Sequence, residues 1–519
     1  MNRGAKIAIT ALACFVGLWI VAEIGGRALS PWAKREMISA LEKKFKSKAE
    51  VQDLQVRLFP WFSAEATGLV FRHHGRTDVP PLIQIKRLSA RSNPVSALLR
   101  RVSEVKLEGL EIRVARKKEE GQAEGQIGQT DEPKAENKKD SGGGFLVERI
   151  VADGTHLEIL PKNPEKDPMV FDLKELTLFD AGPKSPMTYV ATLTNPKPPG
   201  EIDTKGTFGP WNGDDPGQTP LDGDYVFTDA DLSHFKGIAG ILSSEGSFDG
   251  VLERIAVEGW TDTPDFSVSS SKQPVHLKTE FSAIVDGTSG DTYLQPVIAR
   301  FEESEVYAEG KVAQEEGLKG KSVILDVRVD KGRVEDMLKL AVPAKDAVLE
   351  GPIQYTAKFR LPPGDQEVPA RLELLGKFGM EDAEFTKSKV RKKLGELSNK
   401  AQGEPEAPTT PVESDLAGRF QLGSGVLSLM DLKFQIPGAD VTMGGDYGLL
   451  TKELDFRGRI EMDAKISEAT TGKKSFFLKL VDPFFKNKRK GYGSSIPIKV
   501  TGSVDDPQVG LALSGEPKS

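Results

Sequence analysis

The 519-residue chain contains a single cysteine, Cys14, which lies inside an apolar stretch at residues 7–22. One cysteine cannot form an intramolecular disulfide or a cysteine-based metal site. The chain also lacks an excess of positive charge, because its formal net charge is −7. A protein that binds nucleic acid needs a basic surface to contact the phosphates, so this composition argues against nucleic acid as a partner.

Recognisable catalytic and nucleotide-binding motifs are missing as well. The sequence has no Gly-x-Ser-x-Gly turn, no Walker loop and no His-Glu-x-x-His pair, and so lacks the usual nucleophile, phosphate and zinc sites. His73 and His74 are adjacent, so on a strand their side chains would point to opposite faces. His156, His234 and His276 are interpreted as solvated or packed side chains rather than as metal ligands. The sequence therefore predicts a protein that is not an enzyme and that holds no cofactor or metal. An unrecognised hydrolase is the enzymatic alternative.

Residues 286–291, Asp-Gly-Thr-Ser-Gly-Asp, resemble the beginning of a calcium loop. An EF-hand loop needs oxygen ligands at fixed positions and a bidentate glutamate at its end. Here the glycines crowd the run, and Tyr293 and Leu294 follow it. A tight hairpin turn is the favoured interpretation.

Only one long hydrophobic run occurs, at residues 7–22, and the next four residues extend it to 7–26. A transmembrane helix needs about 17–25 mostly apolar residues. The sequence thus predicts a cytoplasmic head at residues 1–6, a single membrane anchor at residues 7–26 and a body outside the cytoplasm. A cleaved signal peptide is one alternative, although no clean cleavage site follows the run. Lipidation of Cys14 is another, although the usual leucine three residues before it is absent.

Alternation of apolar and polar residues with a period of two is abundant after the anchor. Successive side chains of a strand point to opposite faces, so this pattern predicts strands that are apolar on one side only. The clearest cases are Val275–Val285 and residues 322–330, 454–462 and 496–504. Fifty-two glycines and 33 prolines indicate many turns, and the pattern yields about twenty-five strand candidates. Short helices are predicted at residues 232–242, 334–342 and 387–397.

The inward positions of these strands form one predicted apolar surface. They are Val275, Leu277, Phe281, Val323, Leu325, Val327, Leu454, Phe456, Ile460, Ile498 and Val500. Such a surface could line an open groove or could pack against a second sheet, and the sequence pattern is the same in both cases.

Residues 105–114 change phase in the middle. The apolar residues before Gly109 alternate in one phase, whereas Leu110 and Ile112 after it alternate in the other. A β-bulge at the glycine would bring both sets onto one face. Two short strands joined at Gly109 are the alternative.

Two polar tracts divide the chain. Residues 116–144 contain almost no apolar side chains, and residues 398–415 contain three prolines. Residues 116–144 are predicted to be a disordered linker or a long loop, and residues 398–415 a disordered loop. The remaining parts are a helix-plus-strand unit at residues 27–115, a central β region at 145–397 and a C-terminal β region at 416–519.

Two smaller segments each have two interpretations. A helix at residues 31–45 either lies against the membrane surface or caps the first sheet. The basic run at residues 486–490, Lys-Asn-Lys-Arg-Lys, either contacts anionic head groups or forms a solvated loop.

In their order along the chain, these segments resemble the AsmA-like family of bacterial envelope proteins. The opening matches as a single membrane helix, an amphipathic helix and then short strand motifs, and the closing region looks like the family's C-terminal part. The segments that carry the resemblance are residues 51–60, 68–71, 80–89, 105–114, 437–447 and 501–507.

The resemblance implies a mainly β fold in which an N-terminal transmembrane helix precedes an elongated, curved β-sheet, groove-shaped, with a few short helices. It implies a single-pass protein of the bacterial inner membrane whose body lies in the periplasm. Kinship with bridge-like lipid-transfer proteins implies membrane lipids as partners, with phospholipid acyl chains in the groove and a function in outer-membrane lipid homeostasis. The alternative is a scaffold or assembly factor for outer-membrane proteins, which would have a closed β-sandwich core and envelope proteins as partners.

Overall fold

A computed structural model describes residues 35, 38–39, 47–57, 62–73, 81, 83–93, 96, 101–114, 146–159, 169–182, 185–210, 212, 215–343, 347–469, 485–487, 491–503 and 506–512. The anchor predicted at residues 7–26 and the tract at 116–144 lie outside these residues. Of the helix predicted at residues 31–45, only residues 35, 38 and 39 are described, and they are helical. Within the described residues, no helix is long and apolar enough to cross a membrane.

The described chain is mainly β, as predicted. Its first strands are β1 Ser47–Glu50, β2 Asp53–Arg57, β3 Phe62–His73, β4 Ile83–Ser92, β5 Arg101–Val102, β6 Glu104–Val114, β7 Leu146–Ile159, β8 Met169–Ala181, β9 Met187–Pro196, β10 Pro199–Phe208, β11 Pro220–Asp231, β12 Ile238–Ala239, β13 Ile241–Val251 and β14 Arg254–Val268. The later strands are β15 Val275–Val285, β16 Thr292–Phe301, β17 Ser304–Gln314, β18 Lys321–Arg333, β19 Leu349–Glu350, β20 Pro352–Leu361, β21 Glu373–Phe385, β22 Ser414–Gly423, β23 Val426–Ile436, β24 Ala439–Gly448, β25 Glu453–Met462, β26 Ser494–Ser503 and β27 Pro507–Leu511. Short helices are α1 Val334–Ala341, α2 Val368–Arg371 and α3 Ser388–Gln402.

The chain forms two compact units. Unit 1 comprises Met1–Asp229, Glu245–Val257 and Asp286–Gly290, and unit 2 comprises Ala230–Ser244, Glu258–Val285 and Asp291–Ser519. In unit 1, β3, β4, β6, β7, β8, β9, β10 and β11 are successive neighbours. They are antiparallel except for β6 and β7, which are parallel and are joined by the long segment of residues 115–145. Parallel neighbours need such a crossover because a tight turn cannot connect them.

In unit 2, β15 to β18 and β20 to β27 pair in sequence order, and every pairing is antiparallel. Most neighbours are therefore joined by short hairpin turns, which is the arrangement that the abundance of glycine and proline favours. Helices α1 and α3 lie in two of the longer connections, between β18 and β19 and between β21 and β22.

The phase change predicted at Gly109 occurs inside one continuous strand, β6, so the alternative of two short strands was wrong. Gly109 has a φ of 62°, and Gly68 on β3 and Gly154 on β7 have φ values of 60° and 63°. Only glycine adopts this left-handed conformation without steric cost. Because neighbouring strands change phase together, the pairing of β6 shows no register shift, so the expected β-bulge at Gly109 was wrong as well. Leu107 and Leu110 consequently contribute to the same hydrophobic cluster, as expected for a shared face.

The helix predicted at residues 232–242 was wrong. The segment contains a single 3-10 turn, Leu232–His234, then the two-residue strand β12 and the first residues of β13. Gly237 and Gly240 have φ values of 98° and 135°, which an α-helix does not accommodate. The side chain of Asp231 caps the turn by accepting a hydrogen bond from the Ser233 amide.

The helices predicted at residues 334–342 and 387–397 are confirmed as α1 and α3. Helix α3 runs on to Gln402 and β22 begins at Ser414, so the prediction of disorder was wrong for residues 398–402 and 414–415. Ser398 and Ala401 are buried there, and Gly403 ends the helix in a left-handed conformation with a φ of 81°. The three prolines that suggested disorder lie beyond this cap, in the loop that leads to β22.

Candidate functional site

The register of unit 2 aligns apolar residues and glycines from eleven strands into one row across the sheet. Each member is the direct cross-strand partner of the next, and direct partners share a face. This central row consists of Phe281, Val297, Ala308, Val327, Ala357, Gly376, Phe420, Leu429, Gly445, Phe456 and Val500. At about 4.8 Å per strand, ten spacings give the row a length of about 48 Å.

A second row runs beside the central row on the same face. This adjacent row consists of Ala283, Leu294, Gly310, Leu325, Phe359, Leu374, Leu422, Leu427, Tyr447, Leu454 and Gly502. We call the two rows together the apolar strip. Along most strands they are two residues apart, about 6.6 Å. Across all eleven strands the strip's only polar side-chain group is the hydroxyl of Tyr447.

The register places the eleven residues selected from the sequence on this face of unit 2. Phe281, Val327, Phe456 and Val500 belong to the central row, and Leu325 and Leu454 belong to the adjacent row. The other five lie on the same face outside the strip: Val275 and Leu277 in phase with Phe281, Val323 opposite Val312 and Leu361, Ile460 opposite Val441 and Ile496, and Ile498 opposite Gly458.

In the part of unit 2 that the structure describes, helices α1 and α3 cover this face at one end of the strands. Under α1, Val334 packs with Ile353 and Met380. Near α3, Ala401 packs with Ile436 and Met462. Within the described residues, no side chain of the apolar strip belongs to either cluster, and ten of the eleven central-row residues are half-buried. The strip is therefore neither part of a closed core nor fully exposed.

Buried polar contacts fix α1 in this position. Asp336 is buried and accepts hydrogen bonds from the Ser304 hydroxyl, at 2.8 Å, and from the Glu303 amide, at 3.1 Å. Burial raises the pKa of Asp336 above its ordinary value, although these hydrogen bonds oppose the change. Burial likewise raises the pKa of Tyr355, beneath the helix, to about 12. Helix α1 is thus attached to the sheet by specific contacts as well as by apolar packing.

The opposite face of unit 2, which we call the polar face, carries the charged side chains. Arg300 is an example, because it lies 2.7 Å from both Glu280 and Glu305. Hydrogen bonds from Tyr307 and from Arg300 lower the pKa of Glu305 below its ordinary value. The polar alternation of the sequence thus corresponds to a separate, hydrated surface.

Two histidines have partners that the sequence did not reveal. His156 lies 2.6 Å from Asp172, and His276 lies 2.7 Å from Asp262. The partners are 16 and 14 residues apart in sequence and meet on adjacent strands, so local spacing could not show them. Desolvation raises the pKa of Asp262, but the hydrogen bond and charge of His276 outweigh it, and the net pKa is lowered. In the described part of the chain, no three metal-binding side chains come together.

The segment at residues 286–291 forms a hairpin turn, as favoured from the sequence. Asp286 accepts hydrogen bonds from the Thr288 amide, at 2.8 Å, and from the Ser289 hydroxyl, at 2.7 Å. Desolvation raises the pKa of Asp286. The hydrogen bonds from Thr288 and Ser289 lower it by more, so the net pKa is below the ordinary value. The carboxylate stabilises its own turn, which accounts for the acidic and hydroxyl residues there.

Comparison of the chain with models of known protein families, with curated proteins and with solved structures finds no match. The resemblance to the AsmA-like family stays a prediction. The function is therefore inferred from the geometry of the described residues.

Proposed function

We propose that the apolar strip holds lipid acyl chains, in a protein that is anchored in the bacterial inner membrane with its body in the periplasm. The observation that carries this proposal is the central row, because its eleven directly paired positions contain no polar side chain. A row of this kind offers a hydrocarbon chain the same apolar surroundings at every strand.

The energetics favour a passive role. Removing hydrocarbon from water stabilises the bound state by about 0.8 kcal/mol for each methylene group. Because every strand spacing along the row presents a similar surface, a chain can shift from one strand to the next without losing a specific hydrogen bond. The strip would then bind lipid tails while the head group remains in water, and no single residue would be essential.

The scaffold alternative requires a second protein layer over the strip. In the residues described, α1 and α3 pack over one end of the strands, and neither helix's hydrophobic cluster includes the strip. Among the described residues the strip is a half-buried apolar surface without such a layer, and this favours a lipid ligand. Outer-membrane lipid homeostasis is the cellular role that we propose for it.

The proposal predicts that the full-length protein, extracted in mild detergent, co-purifies with phospholipid above the background of an unrelated single-span protein prepared in the same way. Mass spectrometry of the organic extract measures the lipid per mole of protein, and circular dichroism confirms the β fold. Folded protein that carries no more lipid than the unrelated protein would contradict the proposal.

A further inference from the structure

A cavity of about 660 Å³ lies in unit 2, lined by polar-face residues and by the central-row residues Ala308, Val327, Ala357 and Gly376. Its charged lining residues are Glu309, Asp326, Arg328, Lys358, Lys377 and Arg419. They come from five neighbouring strands, β17, β18, β20, β21 and β22. We call this space the polar-face cavity.

Like charges are paired across strands at two places in the cavity. Glu309 is directly opposite Asp326, and Lys377 is directly opposite Arg419. Like charges in direct cross-strand pairs are destabilising. On the next strand, Lys358 is directly opposite Asp326. Two acids and two lysines thus meet near the middle of one cavity.

Within the described residues, no ion pair neutralises these four charges. Arg328 has an ion pair with Asp330 at 3.2 Å, and Arg419 has one with Asp431. Among the described residues, by contrast, the side chains of Glu309, Asp326, Lys358 and Lys377 have no hydrogen-bond or ion-pair partner. Lys358 and Asp326 are cross-strand neighbours, yet their charged atoms do not come within 4.0 Å of each other. Both residues line the polar-face cavity.

From this arrangement we propose that the polar-face cavity binds a small zwitterion that carries a phosphate and an ammonium group, as phosphoethanolamine does. The phosphate would be bound by Lys358 and Lys377, beside the hydroxyl of Thr356. Charge-assisted hydrogen bonds of this type are the strong ones. The ammonium group would be bound by Glu309 and Asp326, one strand spacing, about 4.8 Å, from Lys358.

The carbon linker of such a ligand would have an apolar surface to contact. Leu375 lines the cavity, is 53% exposed, and lies directly opposite Lys358. Covering this exposed leucine with a ligand's methylene groups removes apolar surface from water, which stabilises the bound state. Because the charged residues proposed to bind the ligand lie on the polar face, opposite the side chains of the apolar strip, this site does not depend on the proposed acyl-chain function.

The test is a calorimetric titration of the full-length protein with O-phosphoethanolamine, with inorganic phosphate and with ethanolamine. We expect saturable binding of phosphoethanolamine that is tighter than binding of either fragment. The double variants Lys358→Gln/Lys377→Gln and Glu309→Gln/Asp326→Asn should each weaken it about tenfold, the loss expected for a charge-assisted hydrogen bond. Only the lysine variant should weaken binding of phosphate.

Two control variants make the same charge changes elsewhere on the polar face of unit 2. They are Lys433→Gln/Lys499→Gln and Glu453→Gln/Glu461→Gln, and they should bind like the original protein. Vesicles of phosphatidylethanolamine, added in a second arm, show whether the head group of a lipid or the free molecule is the better ligand. Absence of saturable phosphoethanolamine binding in both arms would overturn the proposal. Binding that the cavity variants and the control variants weaken equally would also overturn it.

Discussion

Replacing Gly445 by alanine is expected to lower the free energy of unfolding by about 3 kcal/mol, the upper end of the usual cost of overpacking. Gly445 is a central-row residue of β24 and lies directly opposite Phe456 on β25. A Cβ atom there would lie 2.2 Å from the Asp455 carbonyl oxygen and 2.5 Å from the Phe456 Cα. Both are backbone atoms, so the clash cannot be relieved by a side-chain rotation. The strands would have to separate locally, which weakens their ladder of hydrogen bonds.

Gly379→Ala provides the matched control. Gly379 is a strand residue of β21 in the same unit, and a Cβ atom there would meet nothing within 4 Å. We expect its effect to be small, because alanine also restricts the unfolded chain more than glycine does. Urea unfolding followed by tryptophan fluorescence measures both variants. Equal stability of the two would show that β24 and β25 do not approach as closely as the register requires.

Replacing Ala357 by aspartate is expected to reduce the lipid that co-purifies with the protein about tenfold. Ala357 is half-buried in the central row, between Val327 and Gly376. A carboxylate at this position would remain hydrated and would face any acyl chain in the strip. Placing an ionised group against hydrocarbon without a partner costs several kcal/mol, so a chain could neither bind there nor pass.

Gln354→Asp tests whether the effect belongs to the face or to the added charge. Gln354 is an exposed residue three positions earlier on the same strand, β20, and it lies on the polar face opposite Gly379. This variant should retain its lipid, as measured by mass spectrometry of the extract. Circular dichroism of both variants excludes unfolding as the cause. Equal lipid content in the original protein and in Ala357→Asp would show that the strip does not bind the lipid.

Period-two alternation sufficed to predict the mainly β fold and to place eleven separated residues on one face. It succeeded at positions such as Phe456 and Val500 because large apolar side chains alternate there with charged ones. It missed Gly376 and Ala308, which are central-row residues with little or no side chain to give a hydrophobic signal. Their place in the row depends on the side chains of neighbouring strands. At Gly376, a Cβ atom would lie 2.6 Å from the Phe420 ring, so the ring lies over the glycine.

Other features depend on backbone conformations that a pattern of residue types does not specify. Asp382 and Asp431 have φ values of 53° and 50°, and the pairing register shifts beside each of them. Such shifts reverse the phase of a strand, so counting every second residue fails beyond them. The parallel pairing of β6 with β7 could not be predicted from the sequence either. The polar tract between the two strands contains no pattern that indicates which strand β7 pairs with, or in which direction.

Photo-crosslinking in growing cells tests most directly whether the apolar strip contacts lipid. A photoreactive amino acid would replace Phe281, Val327 or Val500, which sample both ends and the middle of the central row. Its controls would replace Glu280 or Lys499, polar-face neighbours of the two end positions that lie outside the polar-face cavity. We expect lipid adducts at all three row positions and none at the controls. Protein adducts without lipid along the row would show that another polypeptide covers the strip, and would contradict the account.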